Sequence, residues 1–229
     1  MSATATAAAP EATASDCPVV SAFDWVPPFA RGLVRDLRVR WAFEEIGRPY
    51  RTELYGARHP RDADYLAWQP FDQVPAFADG ELRFFESGAI LLYLGEQDER
   101  LLAKDGQARW SAIAWLFAAL NSVDPQVQRL FAYEVFLRDK PWAGEAREAA
   151  AEMVAKKLGR VEHALGDKDW LAGSFSIADI AMIHVLQSLR DTPLVAERPA
   201  LAAYQARGEA RPAYQRALAA QIADFRAEP

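Results

Sequence analysis

Cysteine is almost absent: the 229 residues contain one, Cys17. An intrachain disulfide is therefore excluded, and the composition suits a reducing compartment such as the cytoplasm. Histidine is nearly as scarce. His59, His163 and His184 lie far apart and none falls at a metal-ligand spacing, so no metal is expected. No apolar run reaches the roughly 18 residues needed to cross a bilayer. A basic surplus is missing too. The 26 Lys and Arg stand against 32 Asp and Glu, for a formal net charge of -6. Phosphate contacts need excess Lys and Arg, so nucleic acid is not an expected partner. An acidic chain is equally ill-suited to an anionic membrane surface. The first residues, MSATATAAAPEATASD, lack a basic start and a leucine-rich stretch, and no secretory signal is expected there. With little to bury, residues 1–17 are expected to be a disordered tail.

What is present is an ordinary globular composition, 51% hydrophobic and 25% charged, enough for one large domain or two modest ones. Val19-Val20-Ser21-Ala22-Phe23 is short and β-branched and runs towards Pro27-Pro28, which predicts a strand ending in a loop. A helix is expected over about 29–46, because Val39, Ala42, Phe43 and Ile46 stand at i, i+3, i+4 and i+7. Gly47 and Pro49 end it. A second strand is expected over 50–55 and a weak helix over 62–68. Two short runs around Asp79-Gly80 carry a hairpin signal, and Ser87 precedes an apolar helix. After Asp98 no convincing strand appears. Residues 105–137 are apolar-periodic, with a bend or break expected near Asp124-Pro125. Residues 144–166 are a further helix, another starts at Ser176, and two short ones follow, interrupted by Gly208 and Pro212. Ser176 and Asp179 form a capping-box-like pair, with Phe175 and Ile180 at the staple positions. His184 is expected to be a satisfied core histidine. The aromatic residues Trp110, Trp115, Phe117 and Phe131 are expected mostly in the core. The expected architecture is an α/β domain over 18–97, a linker over 98–104 and an all-α helical domain over 105–229.

One block is more specific. Residues 73–94, QVPAFADGELRFFESGAILLYL, resemble the glutathione-binding signature of glutathione S-transferases. Upstream, LRVRWAFEEIGRPYR resembles the family's first helix and its exit to the second strand. Downstream, LLAKDGQARW resembles the interdomain linker and FSIADI the capped core helix. The matches run in the right order from residue 19 to about 190. The resemblance implies a thioredoxin-like N-terminal domain, a cis Val74-Pro75 bond and glutathione as co-substrate. It implies a cytoplasmic homodimer that conjugates glutathione to a small electrophilic, partly apolar compound, which is detoxification chemistry.

The residues have physical readings of their own. X-Pro is the one peptide bond that turns cis at small cost. A cis turn at a strand start leaves the Val74 N–H and C=O free to pair with an extended tripeptide. Alone, Pro75 equally fits the start of an edge strand; the presence of Glu86-Ser87 beyond it favours binding. At a strand-to-helix junction the free N–H groups attract a carboxylate. The Ser87 hydroxyl adds a hydrogen bond, and Glu86 accepts from an ammonium. That suits the γ-glutamyl end of glutathione, although Ser87 also fits a plain N-cap. Gln73 fits either a ligand donor or a solvated side chain.

The resemblance fails at one place. Transferases of this kind usually carry a Tyr, Ser or Cys where the first strand meets the first helix, to hold the glutathione sulfur as thiolate. No Tyr, Ser or Cys lies between Ala22 and Trp41, and the junction is about one helical turn longer than usual. Ser21 should lie within the strand, and Cys17, ahead of it, is expected to be inert. Three replacements are open: backbone N–H groups of the first helix, the charge of Arg31 or Arg35, or binding without strong activation. Extending the apolar stripe backwards lands on Asp36, Arg35 and Gly32. Either these first turns clear the core and the charged pair is solvated, or this end faces the sulfur. In the second case Gly32 allows close approach and Asp36 holds the arginine. Trp25, Phe29 and Trp115 are the candidate walls of the second-substrate pocket. The rival readings are a glutathione- or ligand-binding protein of the same fold with little turnover, a protein-interaction module, or a glutathione-dependent isomerase or lyase.

Overall fold

The computed structural model describes residues 17–227. The expected tail over 1–17 lies, apart from Cys17, outside them. Strand β1 (Val19–Phe23) is central, since Val19, Val20 and Ala22 are all buried. The sheet order is β2-β1-β3-β4. Strand β2 (Arg51–Tyr55) runs parallel to β1, while β3 (Ala76–Asp79) is antiparallel to both β1 and β4 (Leu82–Phe85). Gly80, at φ 60, closes the β3–β4 hairpin with Asp79 opposite Leu82. A short helix α2 (Ala63–Trp68) precedes β3, and α3 (Ser87–Gln97) follows β4.

Helix α1 spans Asp36–Ile46 and does not begin near residue 29. The reason lies in the junction. Pro28–Ala30 form a single 3-10 turn, and Gly32 stands at φ 78, in the left-handed region where a right-handed helix cannot continue. The apolar stripe then behaves as its spacing dictates: Val39, Ala42 and Phe43 are fully buried.

Among the described residues, helices then follow without a further strand: α4 (Gly106–Phe117), α5 (Asp124–Val135), α6 (Ala143–Leu165), α7 (Ile177–Gln187), α8 (Pro199–Glu209) and α9 (Pro212–Asp224). The chain does not break at Asp124-Pro125 but stays helical through it. A π-helical segment, Ala118–Val123, joins α4 to α5. Pro125 has no N–H for a bond to residue 121, and its ring crowds that carbonyl; widening to π spacing accommodates both, with the Asp124 N–H bonded to the Ala119 carbonyl. Gly208 does not interrupt its helix either. It lies inside α8, where a Cβ would stand 2.2 Å from Ile183 Cδ1, so glycine is what permits α8 to lie against α7. Two of the expected core aromatics are displaced: Trp110 is 65% and Phe117 51% exposed.

Helix α7 is the centre of the helical part, with all eleven residues buried. Its start is fixed by the expected capping box. The Asp179 carboxylate accepts from the Ser176 N–H at 2.9 Å, the Leu171 N–H at 3.0 Å and the Tyr204 hydroxyl at 2.9 Å. The two parts are joined through α1. Asp36 is buried and accepts from Arg40 Nε at 2.7 Å and Gln221 Nε2 at 2.8 Å, while Arg40 Nη2 donates to Asp224 of α9 at 2.6 Å. Asp36 is therefore not solvated, and it holds Arg40 rather than Arg35, because i and i+4 share a helix face.

Towards α7, Arg38 Nε donates to His184 Nδ1 at 3.1 Å, and His184 Nε2 lies 3.3 Å from the Val34 carbonyl. Both ring nitrogens are satisfied. Burial first, and then the positive charges of Arg38 and Arg35, hold the His184 pKa well below its ordinary value.

Two outcomes follow from this packing. Asp179→Ala is expected to lose roughly 3 kcal/mol of stability and Tyr204→Phe about 1 kcal/mol, measured by urea unfolding. The depressed His184 pKa means that the unfolded state binds a proton that the folded state refuses. Stability should therefore fall with decreasing pH below about 6.5, by up to about 1.4 kcal/mol per unit from this group. Unfolding curves at pH 7.5 and 5.5 should differ less for His184→Gln than for the unmodified chain; equal differences would mean the buried imidazole is not held neutral.

Candidate functional site

A cleft of about 520 Å3 lies between the sheet and the helices, with Val74-Pro75 and Glu86-Ser87 on one wall and Phe117, Leu120 and Asn121 on the other. The Val74-Pro75 bond is cis. The β3 ladder begins at Ala76, which leaves Val74 outside it. The approach to this point is held from behind. Ser21 Oγ accepts the Ala76 N–H at 2.6 Å and lies 2.8 Å from the Tyr65 hydroxyl, which in turn donates to the Gln73 carbonyl at 2.6 Å. Gln69 Oε1 accepts from the Phe71 and Gln73 N–H groups at 2.7 and 3.3 Å.

Glu86 stands at φ 77, a conformation that costs a residue other than glycine about 1–3 kcal/mol. It occupies the N-cap of α3, and no side chain caps that end. Ser87 is the first helical residue, so it is not the cap. Gly88 follows, and a Cβ there would lie 2.4 Å from Leu120 Cδ1. Leu120 of the π segment thus rests directly on the first turn of α3.

Beneath Ser87 lies Arg38, whose side chain is 1% exposed. Its Nη1 donates to Ser87 Oγ at 3.2 Å and its Nη2 to Asp124 Oδ2 at 3.1 Å. Because Ser87 Oγ accepts from the guanidinium, its own proton is left for another acceptor. Arg35 Nη2 reaches the same Asp124 oxygen at 3.5 Å with a side chain 40% exposed, and Gln128 Nε2 donates to Asp124 Oδ1 at 3.0 Å. Two guanidinium groups therefore share one carboxylate, beside a neutral histidine. Burial lowers the Arg38 pKa, an effect that Asp124 opposes.

Beyond Val74 a second chamber of about 270 Å3 opens between the strand–helix junction and α5, lined by Phe23, Leu33, Val34 and Gln128. Arg35, Arg38, Gln73 and Val74 line both spaces. Of the two candidate arginines, Arg35 is thus in the cleft and Arg31 is in neither chamber. The Arg31 carbonyl accepts from Arg190 Nη1 at 3.0 Å, and Gly32 faces Leu218 and Arg190 rather than the cleft. The three aromatic candidates are also elsewhere. Trp25 lies under the Arg58 guanidinium at 4.0 Å, Phe29 packs on Phe131 and Phe136, and Trp115 packs on the core cluster. Their places are taken by Leu92, Phe117 and Leu120 in the first chamber and by Phe23, Leu33 and Val34 in the second. Cys17 lines neither. Among the described residues no His, Cys, Asp or Glu cluster is arranged to hold a metal.

Sequence reasoning missed Arg38, Asp124 and Gln128. A signal for the first existed: stepping back four residues from Ala42, a member of the apolar stripe, lands on Arg38. Nothing in the local pattern links Asp124 to it, since the two are distant in sequence, and Gln128 joins them only through Asp124, one helical turn earlier.

The chain matches Glutathione S-transferase, N-terminal domain, over residues 29–96, and Glutathione S-transferase, C-terminal domain, over residues 126–212. It is 32% identical to a glutathione S-transferase of Hyoscyamus muticus, across 67% of this chain and 77% of that protein. It is 28% identical to glutathione S-transferase F9 of Arabidopsis thaliana, across 84% of this chain and 94% of that protein. Among solved structures, a glutathione transferase from Burkholderia graminis with two glutathione molecules bound per subunit superposes with a TM-score of 0.74 at 26% identity, covering 90% of this chain and 89% of that one. A Pseudomonas fluorescens family member with two glutathione bound shares the fold, with a TM-score of 0.79 at 24% identity, over 90% of this chain and 94% of that one. With both family domains matched in order and the same architecture throughout, the chain belongs to the glutathione S-transferase family.

Proposed function

We propose that this chain conjugates glutathione to a small, partly apolar electrophile, with the peptide lying across both chambers. Its γ-glutamyl carboxylate sits at the uncapped N-terminus of α3 and takes the Ser87 hydroxyl proton, while Glu86 accepts from the ammonium. Its cysteinyl main chain pairs with Val74 as an added strand. The sulfur, on the side chain of that same cysteinyl residue, enters the second chamber beside Arg35. The observation that carries this reading is the hydrogen bond from Arg38 to Ser87 Oγ at an uncapped helix start. A helix dipole, a directed hydroxyl and a guanidinium surplus converge where a carboxylate belongs.

Thiol activation is assigned to Arg35. It is the half-exposed member of the pair that shares Asp124, and a cation near a thiol favours the thiolate. Gln73 lines both chambers and serves as a further donor to the peptide. The protein is proposed to work in the cytoplasm as a homodimer, in keeping with its single free cysteine and the exposed Trp110 on α4. Glutathione binding with little turnover remains the rival reading, favoured by one fact: no Ser, Thr, Tyr or Cys is among the residues lining the second chamber.

Ser87→Ala and Glu86→Ala are each expected to weaken glutathione binding on the order of tenfold, about 1.4 kcal/mol, by calorimetry. Unchanged affinity in both would move the peptide away from α3. In the glutathione complex, thiolate absorbance followed against pH should give a thiol pKa raised by about one unit in Arg35→Met, because a stabilising cation is lost, and no change in Arg31→Met. A thiol pKa that ignores Arg35 would leave binding without activation as the better account.

A further inference from the structure

Away from the cleft, a separate cavity of about 230 Å3 lies between the end of α5 and the turns that follow α7. One side of it is apolar: Leu130 and Leu189 are fully buried, with Phe131 and Val135 beside them. Its polar groups are the carboxylates of Glu134 and Asp191 and the hydroxyls of Ser188 and Thr192. Among the described residues no Lys, Arg or His lines it. The Thr192 hydroxyl donates to the Leu189 carbonyl at 2.8 Å, so towards a ligand it is an acceptor. Neither carboxylate is spent. Arg147 Nη1 stands 3.8 Å from Glu134 and Arg190 Nε 4.0 Å from Asp191, too far for hydrogen bonds. The two Nη atoms of Arg190 are bonded instead to the Phe29 and Arg31 carbonyls. The backbone adds charge of the same sign. Helix α5 ends at Val135 and α7 at Gln187, and the C-terminal end of a helix carries partial negative charge.

An apolar wall with negative charge at its rim and no base selects among ligands. An anion would meet two carboxylates and two helix C-termini. A neutral molecule would gain nothing from that charge. A compact organic cation brings N–H donors to the carboxylates and an apolar body to the wall. We propose that this cavity binds a small arylalkylammonium compound, with its ammonium between Glu134 and Asp191 and its ring against Phe131, Leu130 and Leu189. Phe131 already makes a tilted contact with Phe29 and an edge contact with Phe136, and a further ring extends that cluster. Magnitudes divide the labour. The Glu134 and Asp191 side chains are 39% and 87% exposed, and an exposed ion pair changes an equilibrium by about fivefold at most. The apolar body therefore supplies most of the affinity, and the carboxylates choose the sign of the charge. A volume below the ~300–1,000 Å3 of drug-sized sites limits the ligand to a small molecule. The cavity shares no lining residue with either chamber of the cleft, so the inference stands apart from the conjugation reading.

The test uses the full chain at neutral pH and three probes of similar size and different charge: phenethylammonium, 2-phenylethanol and phenylacetate. Calorimetry should give phenethylammonium a Kd of about 1 mM or below, with 2-phenylethanol roughly tenfold weaker and phenylacetate not bound. Glu134→Gln and Asp191→Asn should each weaken the amine roughly threefold and together roughly tenfold, with the alcohol unaffected. Added salt should weaken the amine and leave the alcohol unchanged. Glu148→Gln, which removes an exposed carboxylate of α6 outside the cavity, should alter neither. Saturating glutathione should leave the Kd of the amine where it was. An alcohol that binds as tightly as the amine, or an amine Kd that the double substitution does not move, overturns the cationic assignment. Absence of amine binding up to about 10 mM, or displacement of the amine by glutathione, overturns the site itself.

Discussion

The buried guanidinium of Arg38 is the contact on which the site depends. From α1 it reaches Ser87 at the start of α3, Asp124 at the start of α5 and His184 in the middle of α7. An isolated charge at that depth is strongly unfavourable, and it is tolerable only because its hydrogen-bonding groups meet fixed partners. The consequence is geometric. The start of α3 and the helices on the other side of the cleft are referred to one rigid group, so the sheet and helical parts keep a common register at the cleft.

The π segment completes that register from the other side. Pro125 forbids a regular turn, and the widened backbone carries Leu120 onto Gly88 and Asp124 towards Arg38. Glycine at 88 is then a packing requirement as well as a feature of the binding signature: any side chain would displace Leu120 and shift the first turn of α3 away from it. Two sequence features that look independent, Ser87-Gly88 and Asp124-Pro125, are the two halves of one interface.

Most of the fold was legible because its signals are local. The β3–β4 hairpin follows from Asp79-Gly80, the start of α7 from Ser176 and Asp179, and the buried face of α1 from the spacing of Val39, Ala42 and Phe43. The errors arose where a local rule met a distant constraint. The periodicity ahead of Asp36 reads as helix, yet Gly32 and Pro28 stop it, and Arg190, far along the chain, holds the loop by the carbonyls of Phe29 and Arg31. Trp25, Phe29 and Trp115 were chosen as pocket walls from their apolar character and position. The selection of Phe117 instead depends on the face to which the π segment turns. Arg35 lines the cleft, but its partner was taken to be the neighbouring Asp36. Adjacent residues on a helix face different directions, so Asp36 meets Arg40 and Gln221 while Arg35 meets Asp124.

A site of this kind separates two tasks that a single tyrosine or serine hydroxyl would combine. A hydroxyl beside the sulfur stabilises the thiolate by one hydrogen bond and stands where the electrophile arrives. In the proposed reading the positive charge comes from Arg35, a side chain long enough to lie along the wall, and Asp124 limits it without cancelling it, because Arg38 takes the stronger share at 3.1 Å against 3.5 Å. Charge stabilisation acts over a longer range than a hydrogen bond and tolerates a sulfur whose position varies.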